Sequence, residues 1–275
     1  MLMLLNLFKK RKEVSNKKTI NNSERDKKSN KEVAVRKGEI GEYKIDIQLS
    51  QLPKEHKYLS DLLIKNQRSI SGYSQIDHLV ITPYGIFVIE TKNYQGTIYG
   101  GKNRKMWLVN GKFKMLSPLI QNYGHIEALK KYIDKKYYNY FNSIISFTKR
   151  CKLKVDLDLR EISSSELVIY DFYLSESIHR KVSIAKLKYK EPFLSGYDIL
   201  HIYNAFAKAN ITDPGIREKH NSSIEEVKSD KSNMKGDLNC VVCNQPISQK
   251  VATYCLTNKR FKGNLYCYEH QKTQR

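Results

Sequence analysis

Residues 75–92, QIDHLVITPYGIFVIETK, constrain the fold more than any other stretch of the chain. Two apolar runs flank TPYG, and that pattern predicts two antiparallel strands joined by a tight turn. With Pro83 and Tyr84 at the turn's centre, Thr82 faces Gly85 and Asp77 falls opposite Glu90. Directly opposed residues hold their Cβ atoms about 4.5–5.5 Å apart on one face of a sheet. Lys92, two residues beyond Glu90, points to that same face through the pleat. A one-residue bulge at Gly85 gives a second register, which sends Asp77 to the other face. Almost everything else in both runs is apolar, so the two strands are expected to be covered on both sides.

Two carboxylates that close repel each other unless positive charge lies between them. A divalent cation with hard oxygen ligands answers this, and Mg²⁺ accepts one or two carboxylates together with water and substrate phosphate. Lys92 beside the pair is placed to hold a water nucleophile or to stabilise charge in a transition state. These are the parts of metal-assisted phosphodiester hydrolysis. The competing reading is an edge hairpin in which Lys92 pairs with Glu90 in solvent.

The spacing of Asp77, twelve intervening residues and then Glu90-Thr91-Lys92 resembles the D…(D/E)xK signature of the restriction-endonuclease-like superfamily. Within it, residues 38–125 look like the nuclease-related domain (NERD) family. GEIGEYKI resembles that family's glycine–glutamate helix, QIDHLVITPYGIFVIETKNYQGTIYG its central hairpin, and SPLIQNYGHI its later helix. The resemblance implies an α/β fold, a small mixed sheet flanked by helices. It further implies that Asp77 and Glu90 bind Mg²⁺ (or Mn²⁺), Lys92 is the catalytic lysine, Glu42 adds an acid from the first helix, and Gln121 assists from the later one. His78 reads as a packing or hydrogen-bonding neighbour.

Charge is consistent with a polyanionic partner. Lys and Arg outnumber Asp and Glu by 49 to 28 in the 275 residues, a formal net charge of +21, which favours nucleic acid or an anionic membrane surface. No run approaches the roughly 20 apolar residues that span a bilayer. The first residues, MLMLLNLF followed by KKRK, carry their apolar run ahead of the basic cluster, the reverse of a secretory signal. They read as the start of a basic, disordered tail, with an interfacial membrane anchor as the alternative.

Along the chain, residues 1–30 form that tail and 31–211 the nuclease-like domain. Val33, Val35, Ile40, Tyr43 and Ile47 share a broad helical face that Pro53 terminates. Gly38 and Gly41 within it imply a close backbone approach. Strands are expected at 57–64, in the hairpin, near 96–100, 106–109 and 113–116, and at 166–173. A helix starts at Ser117 and Pro118 and carries Ile126, Leu129 and Ile133, and a last helix is capped by Ser195. Residues 137–163 follow no clear pattern. The stretch 212–237 reads as a flexible linker.

The final module, 238–275, carries a second kind of chemistry. CVVC at 240–243 and CYEH at 267–270 pair ligands at knuckle spacing, as in a tetrahedral structural Zn²⁺ site of three thiolates and one imidazole. Cys240, Cys243, Cys267 and His270 are the expected ligands. Cys255 lacks a partner at that spacing and reads as a buried apolar residue or a spare thiol. Four of the five cysteines fall in this segment, which points to metal in a reducing cytoplasm rather than to disulfides. Lys250, Lys259, Arg260, Lys262, Lys272 and Arg275 lie among Tyr254, Phe261, Tyr266 and Tyr268. Such interleaving suits nucleic acid, and the module looks broadly like a zinc ribbon.

The combined expectation is a cytoplasmic, Mg²⁺-dependent nuclease-like protein acting on DNA, its zinc module aiding nucleic-acid binding. The rival is a non-catalytic nucleic-acid-binding protein that keeps the fold, and a third reading is a membrane-associated protein held by the first eight residues and KKRK.

Overall fold

The structure, a computed structural model, describes residues 43–233 and 238–273. The basic tail, Gly38, Gly41 and Glu42 lie outside the described residues, so the readings placed on them find no counterpart here.

A five-stranded mixed sheet organises the larger part of the chain. Its order is β1 (Lys57–Lys65), β2 (Tyr73–Thr82), β3 (Gly85–Lys92), β7 (Phe141–Phe147) and β9 (Glu166–Tyr170). The first three strands run antiparallel, while β3, β7 and β9 run parallel. The intervening β4 (Gly96–Tyr99), β5 (Met106–Val109), β6 (Phe113–Leu116) and the later β8 (Cys151–Lys154) build a second, four-stranded sheet in the order β6-β5-β4-β8. This is a mixed α/β fold with two mixed sheets and flanking helices.

Both faces of the large sheet are covered, as the apolar hairpin requires. On one face, Ile126 and Leu129 of α2 (Pro118–Leu129) and Ile199, Ile202 and Phe206 of α4 (Gly196–Ala209) pack on Leu79, Ile81, Ile86 and Val88. On the other, Ile45 and Leu49 of α1 (described over 43–50) and Leu174 and Ile178 of α3 (Leu174–Lys188) pack on Val80, Phe87 and Ile89. Strand β3 therefore sits at the centre, paired on both edges and packed on both sides. A third cluster joins the two sheets, with Trp107 stacked on Phe147 at 6.3 Å between ring centroids. Gly100 permits this contact, because a Cβ there would meet the Trp107 ring at 2.2 Å.

Several expectations need correction. In α1 the buried residues are Ile45 and Leu49, whereas Tyr43 and Ile47 are exposed. A broad helical stripe read without its sheet leaves the choice of face open, and the neighbouring Ile45 and Leu49 take the core side. Ser117 stands at the N-cap of α2, but its hydroxyl is buried and accepts no cap hydrogen bond. Ser195 does cap α4, in a full capping box with Asp198. The unpatterned stretch 137–163 contains β7, whose run of buried residues lies between two parallel neighbours and so shows no alternation. The strand expected over 166–173 stops at Tyr170, and β1 runs one residue past its expected end. The linker stretch is helical over α5 (Pro214–Asn233). Its first turns are anchored: Arg217 pairs with Asp61 at 2.6 Å, and His220 Nδ1 lies 2.9 Å from Ser71 Oγ. None of the helices among the described residues is long and apolar enough to cross a membrane.

Candidate active site and C-terminal metal centre

The hairpin register follows the tight-turn reading. Thr82 pairs with Gly85, Ile81 with Ile86, and so on to His78 with Ile89. No bulge intervenes at Gly85. The ladder ends one pair before Asp77 and Glu90, where the partner position on β1, Asp61, takes a positive φ of 51°. Released from regular pairing, the Asp77 carboxylate caps β3: its Oδ2 accepts from the Thr91 backbone N–H at 2.7 Å and from the Thr91 hydroxyl at 2.6 Å. Among the described residues no hydrogen bond reaches Oδ1.

Glu90 is buried, 3 % exposed, on the face that meets α2. Its Oε1 accepts from Gln121 Nε2 at 2.7 Å and from the Lys92 ammonium. Lys92 also donates to Gln121 Oε1 at 2.9 Å, closing a triangle of three side chains. The solvent-exposed ion pair weighed from the sequence is thus replaced by a buried one. His125, one helical turn beyond Gln121, brings Nε2 to 3.2 Å from Glu90 Oε2. That contact lacks hydrogen-bond alignment, so Oε2 is a buried oxygen without a hydrogen-bond partner.

Helix α2 is fixed against the sheet by Asn122, fully buried, whose amide donates to Val88 O at 2.9 Å and to Ser143 Oγ at 2.8 Å. This clamp sets the depth at which Gln121 and His125 meet Glu90. Neither Asn122 nor His125 was singled out from the sequence. The available signal was the spacing of Gln121 and His125, four residues apart and so on one helical face. His78 behaves as a neighbour: it is buried and its Nδ1 lies 3.0 Å from Ser60 Oγ. Burial holds it down to about 4, so it is neutral at physiological pH.

The electrostatics separate the two acids. Burial raises Asp77, the Glu90 charge raises it further, and the Thr91 hydrogen bonds offset only part, leaving it at about 6. For Glu90 burial acts upward, but the His125 contact and the Lys92 ammonium outweigh it and hold the carboxyl below its ordinary value. A carboxyl whose charge is disfavoured by burial and by its neighbour's charge, beside an ionised one with a buried oxygen that accepts no hydrogen bond, fits a divalent cation. Asp77 and Glu90 are the residues here that would hold it.

Sequence comparison bears on what this arrangement belongs to. Residues 37–148 match the nuclease-related domain. An uncharacterized protein of Bacillus anthracis is 32 % identical over 194 residues, covering 69 % of this chain and 84 % of that protein. The chain belongs to the nuclease-related domain family. No solved structure matches it. The nuclease-related domain match spans α1 through β7 and includes Asp77, Glu90, Lys92, Gln121 and His125. Helices α3, α4 and α5 and the C-terminal module fall outside it.

Beyond that nuclease-related domain, the C-terminal module brings Cys240, Cys243, Cys267 and His270 together, with their ligand atoms all within 4.8 Å of one another. Cys243 and Cys267 sulfurs are 3.8 Å apart, and His270 Nδ1 lies 3.1 Å from Cys267 Sγ and 3.5 Å from Cys240 Sγ. Bonds of about 2.3 Å to a tetrahedral centre give sulfur–sulfur edges of about 3.8 Å, so the donor set fits a structural zinc. Desolvation opposes a thiolate at Cys240, but backbone N–H groups of Cys267, Cys243 and Val242 bring it down to about 6. Cys255 is not part of the cluster. It is fully buried, with its sulfur taking the Tyr266 N–H at 3.4 Å and the Gln271 amide at 3.3 Å.

Proposed function

We propose that this chain is a metal-dependent nuclease that hydrolyses phosphodiester bonds in DNA. The observation that carries the reading is Glu90: a buried carboxylate with one oxygen held by Lys92 and Gln121 and the other meeting only His125 Nε2, at 3.2 Å and without hydrogen-bond alignment, beside Asp77. A purely structural ion pair in a packed interior gains from satisfying every lone pair, and leaving one buried is costly. A bound Mg²⁺ or Mn²⁺ would polarise the phosphate and lower the pKa of a coordinated water.

The chain's own residues do the rest. Asp77 and Glu90 supply negative oxygens at fixed positions, with Thr91 orienting the first and Gln121 the second. Lys92 places an ammonium beside the site, where it stabilises charge that grows on the phosphate oxygens. Because that charge is largest in the transition state, Lys92 acts on turnover more than on affinity. Affinity comes from the excess of Lys and Arg over the whole chain and falls with added salt. We also assign Cys240, Cys243, Cys267 and His270 to one structural Zn²⁺, in a module whose basic and aromatic residues aid nucleic-acid binding.

The test is cleavage of supercoiled, linear and single-stranded DNA across a Mg²⁺ and Mn²⁺ titration, with RNA alongside. Cleavage of DNA that requires the ion and disappears in Glu90→Ala supports the reading. Equal cleavage by both proteins assigns it to another site or a contaminant. No cleavage of any form, with salt-sensitive binding intact, favours a nucleic-acid-binding protein on a nuclease scaffold.

A further inference from the structure

A cavity of about 730 Å³ opens beside Asp77, and most of the residues around it come from the β1–β2 connection, β2, α2 and α5. Asp77, Gln121 and His125 line it where it meets the candidate site. Helix α2 contributes Ile120, Tyr123 and Ala128, the β1–β2 connection contributes Arg68 and Ile70, and α5 contributes His220 and Ile224. The last two lie well beyond the nuclease-related domain match, so this chain completes the cavity with an element of its own.

Two features mark the cavity as built for a ligand. Its walls are largely apolar, with Tyr73 meeting the His220 ring edge-on at 6.2 Å. His220 is also 96 % buried by its 4 % exposure, yet its Nε2 has no hydrogen-bond partner, while Nδ1 is engaged by Ser71. A buried ring nitrogen without a partner costs free energy unless something supplies one. His125 Nδ1, on another lining residue, is unpartnered in the same way. The lining also includes the exposed cations Arg68 and Lys131, and the lining carboxylate of Glu127 is paired with Lys130 at 2.8 Å.

We propose that this cavity receives an unpaired nucleobase adjacent to the scissile phosphate, so that single-stranded or locally opened DNA is the substrate of the nuclease inferred above. The apolar walls and Tyr73 take the faces of the base, and His220 Nε2, which has almost no accessible surface, meets one polar atom of its edge once the ring turns toward the cavity. Arg68 and Lys131 meet the backbone phosphates on either side. Burial, followed by the charge of Arg217, keeps His220 below its ordinary pKa, so the ring is neutral and hydrogen-bonds as such. A base held in a stacked, paired duplex cannot enter a cavity of this kind, which is the source of the expected preference.

The inference rests on the nuclease reading for its scissile phosphate, but its test does not need cleavage. Full-length Glu90→Ala is titrated with a single strand of roughly twelve nucleotides carrying one fluorescent adenine analogue, and with the matching duplex. Two variants probe the cavity in that background. Gly124→Trp fills it from the wall of α2, where an added Cβ meets nothing within 4 Å. His220→Leu removes the unpartnered nitrogen while keeping bulk, and thermal melting reports whether either variant is folded. The expected result is single-strand binding at least about tenfold tighter than duplex binding, with a change in analogue emission that both variants reduce. Equal affinity for the two forms, or a preference untouched by Gly124→Trp in a folded protein, overturns the pocket. Wild type that cleaves nothing, with Gly124-sensitive single-strand binding intact, overturns the nuclease reading and leaves the pocket standing.

Discussion

Glu90 shows how a single side chain decides the character of its surroundings. It lies on the most buried strand of the sheet, so it needs partners, and Lys92, Gln121 and His125 gather around it. Removing Gln121 frees Lys92 to swing and leaves Oε1 with one partner fewer. Gln121→Ala is expected to lower cleavage about ten- to a hundredfold, with melting nearly unchanged; Gln121→Glu, which adds a like charge, should do worse. Steady-state cleavage of the two variants decides this. Lys181 is a different case, a half-buried ammonium to which the proposed reaction gives no role. Desolvation lowers it to about 8, while its Nζ donates to Ser164 O. Since its folded value lies below its unfolded one, the cost is full below pH 8 and is relieved as pH rises toward the ordinary lysine value of about 10.4. Lys181→Met should therefore stabilise the fold at pH 7 by an amount on the order of 1 kcal/mol after solvent screening, and the gain should shrink by pH 10. Urea denaturation of both proteins at the two pH values measures it.

Elements that repeat a simple period were legible in the sequence, and those set by tertiary context were not. The hairpin could be read because TPYG fixes the turn and the turn fixes the register, which placed Asp77 and Glu90 near each other before any coordinates. Its last pair could not be read: the β2–β3 ladder stops at His78 and Ile89, level with the positive φ of Asp61 on β1. Strand β7 was hidden by its own burial, and α3 by the weak apolar stripe it lays on the sheet. Helix α5 is polar enough to pass for a linker, and Arg217 and His220 tie its first turns down. His125 needed the helix and the strand together before it meant anything. Helix α4, by contrast, announces itself through Ser195, whose hydroxyl accepts from the Asp198 N–H at 3.1 Å while Asp198 returns a bond to the Ser195 N–H. Ser195→Ala should cost about 1 kcal/mol, and Ser195→Asp much less. Thermal denaturation of the pair against wild type checks the cap.

Taken whole, the chain offers two sets of metal-binding side chains that are supported in different ways. The acids of the nuclease-related domain sit on a sheet that is packed on both faces without any ion, so chelation should leave that domain folded. The C-terminal module has few buried residues beyond Cys240, Ala252, Cys255 and Phe261 among those described. Its fold is expected to depend on its metal. Strong chelator should therefore release one Zn²⁺ per chain and melt only the module, and Cys267→Ala should bind no stoichiometric zinc even though Cys255 is intact. Metal analysis with limited proteolysis tests both halves.

The central claim is that Asp77 and Glu90 hold a catalytic cation with Lys92 beside it. The most direct measurement is nicking of supercoiled DNA by purified wild type, Asp77→Ala, Glu90→Ala and Lys92→Ala in Mg²⁺ and in Mn²⁺, with DNA affinity determined for each. The account predicts ion-dependent nicking by wild type only, a loss of at least about a hundredfold in each variant, and affinities that stay close together and weaken alike with salt. Nicking that persists in Glu90→Ala, or that is indifferent to the ion, would contradict it.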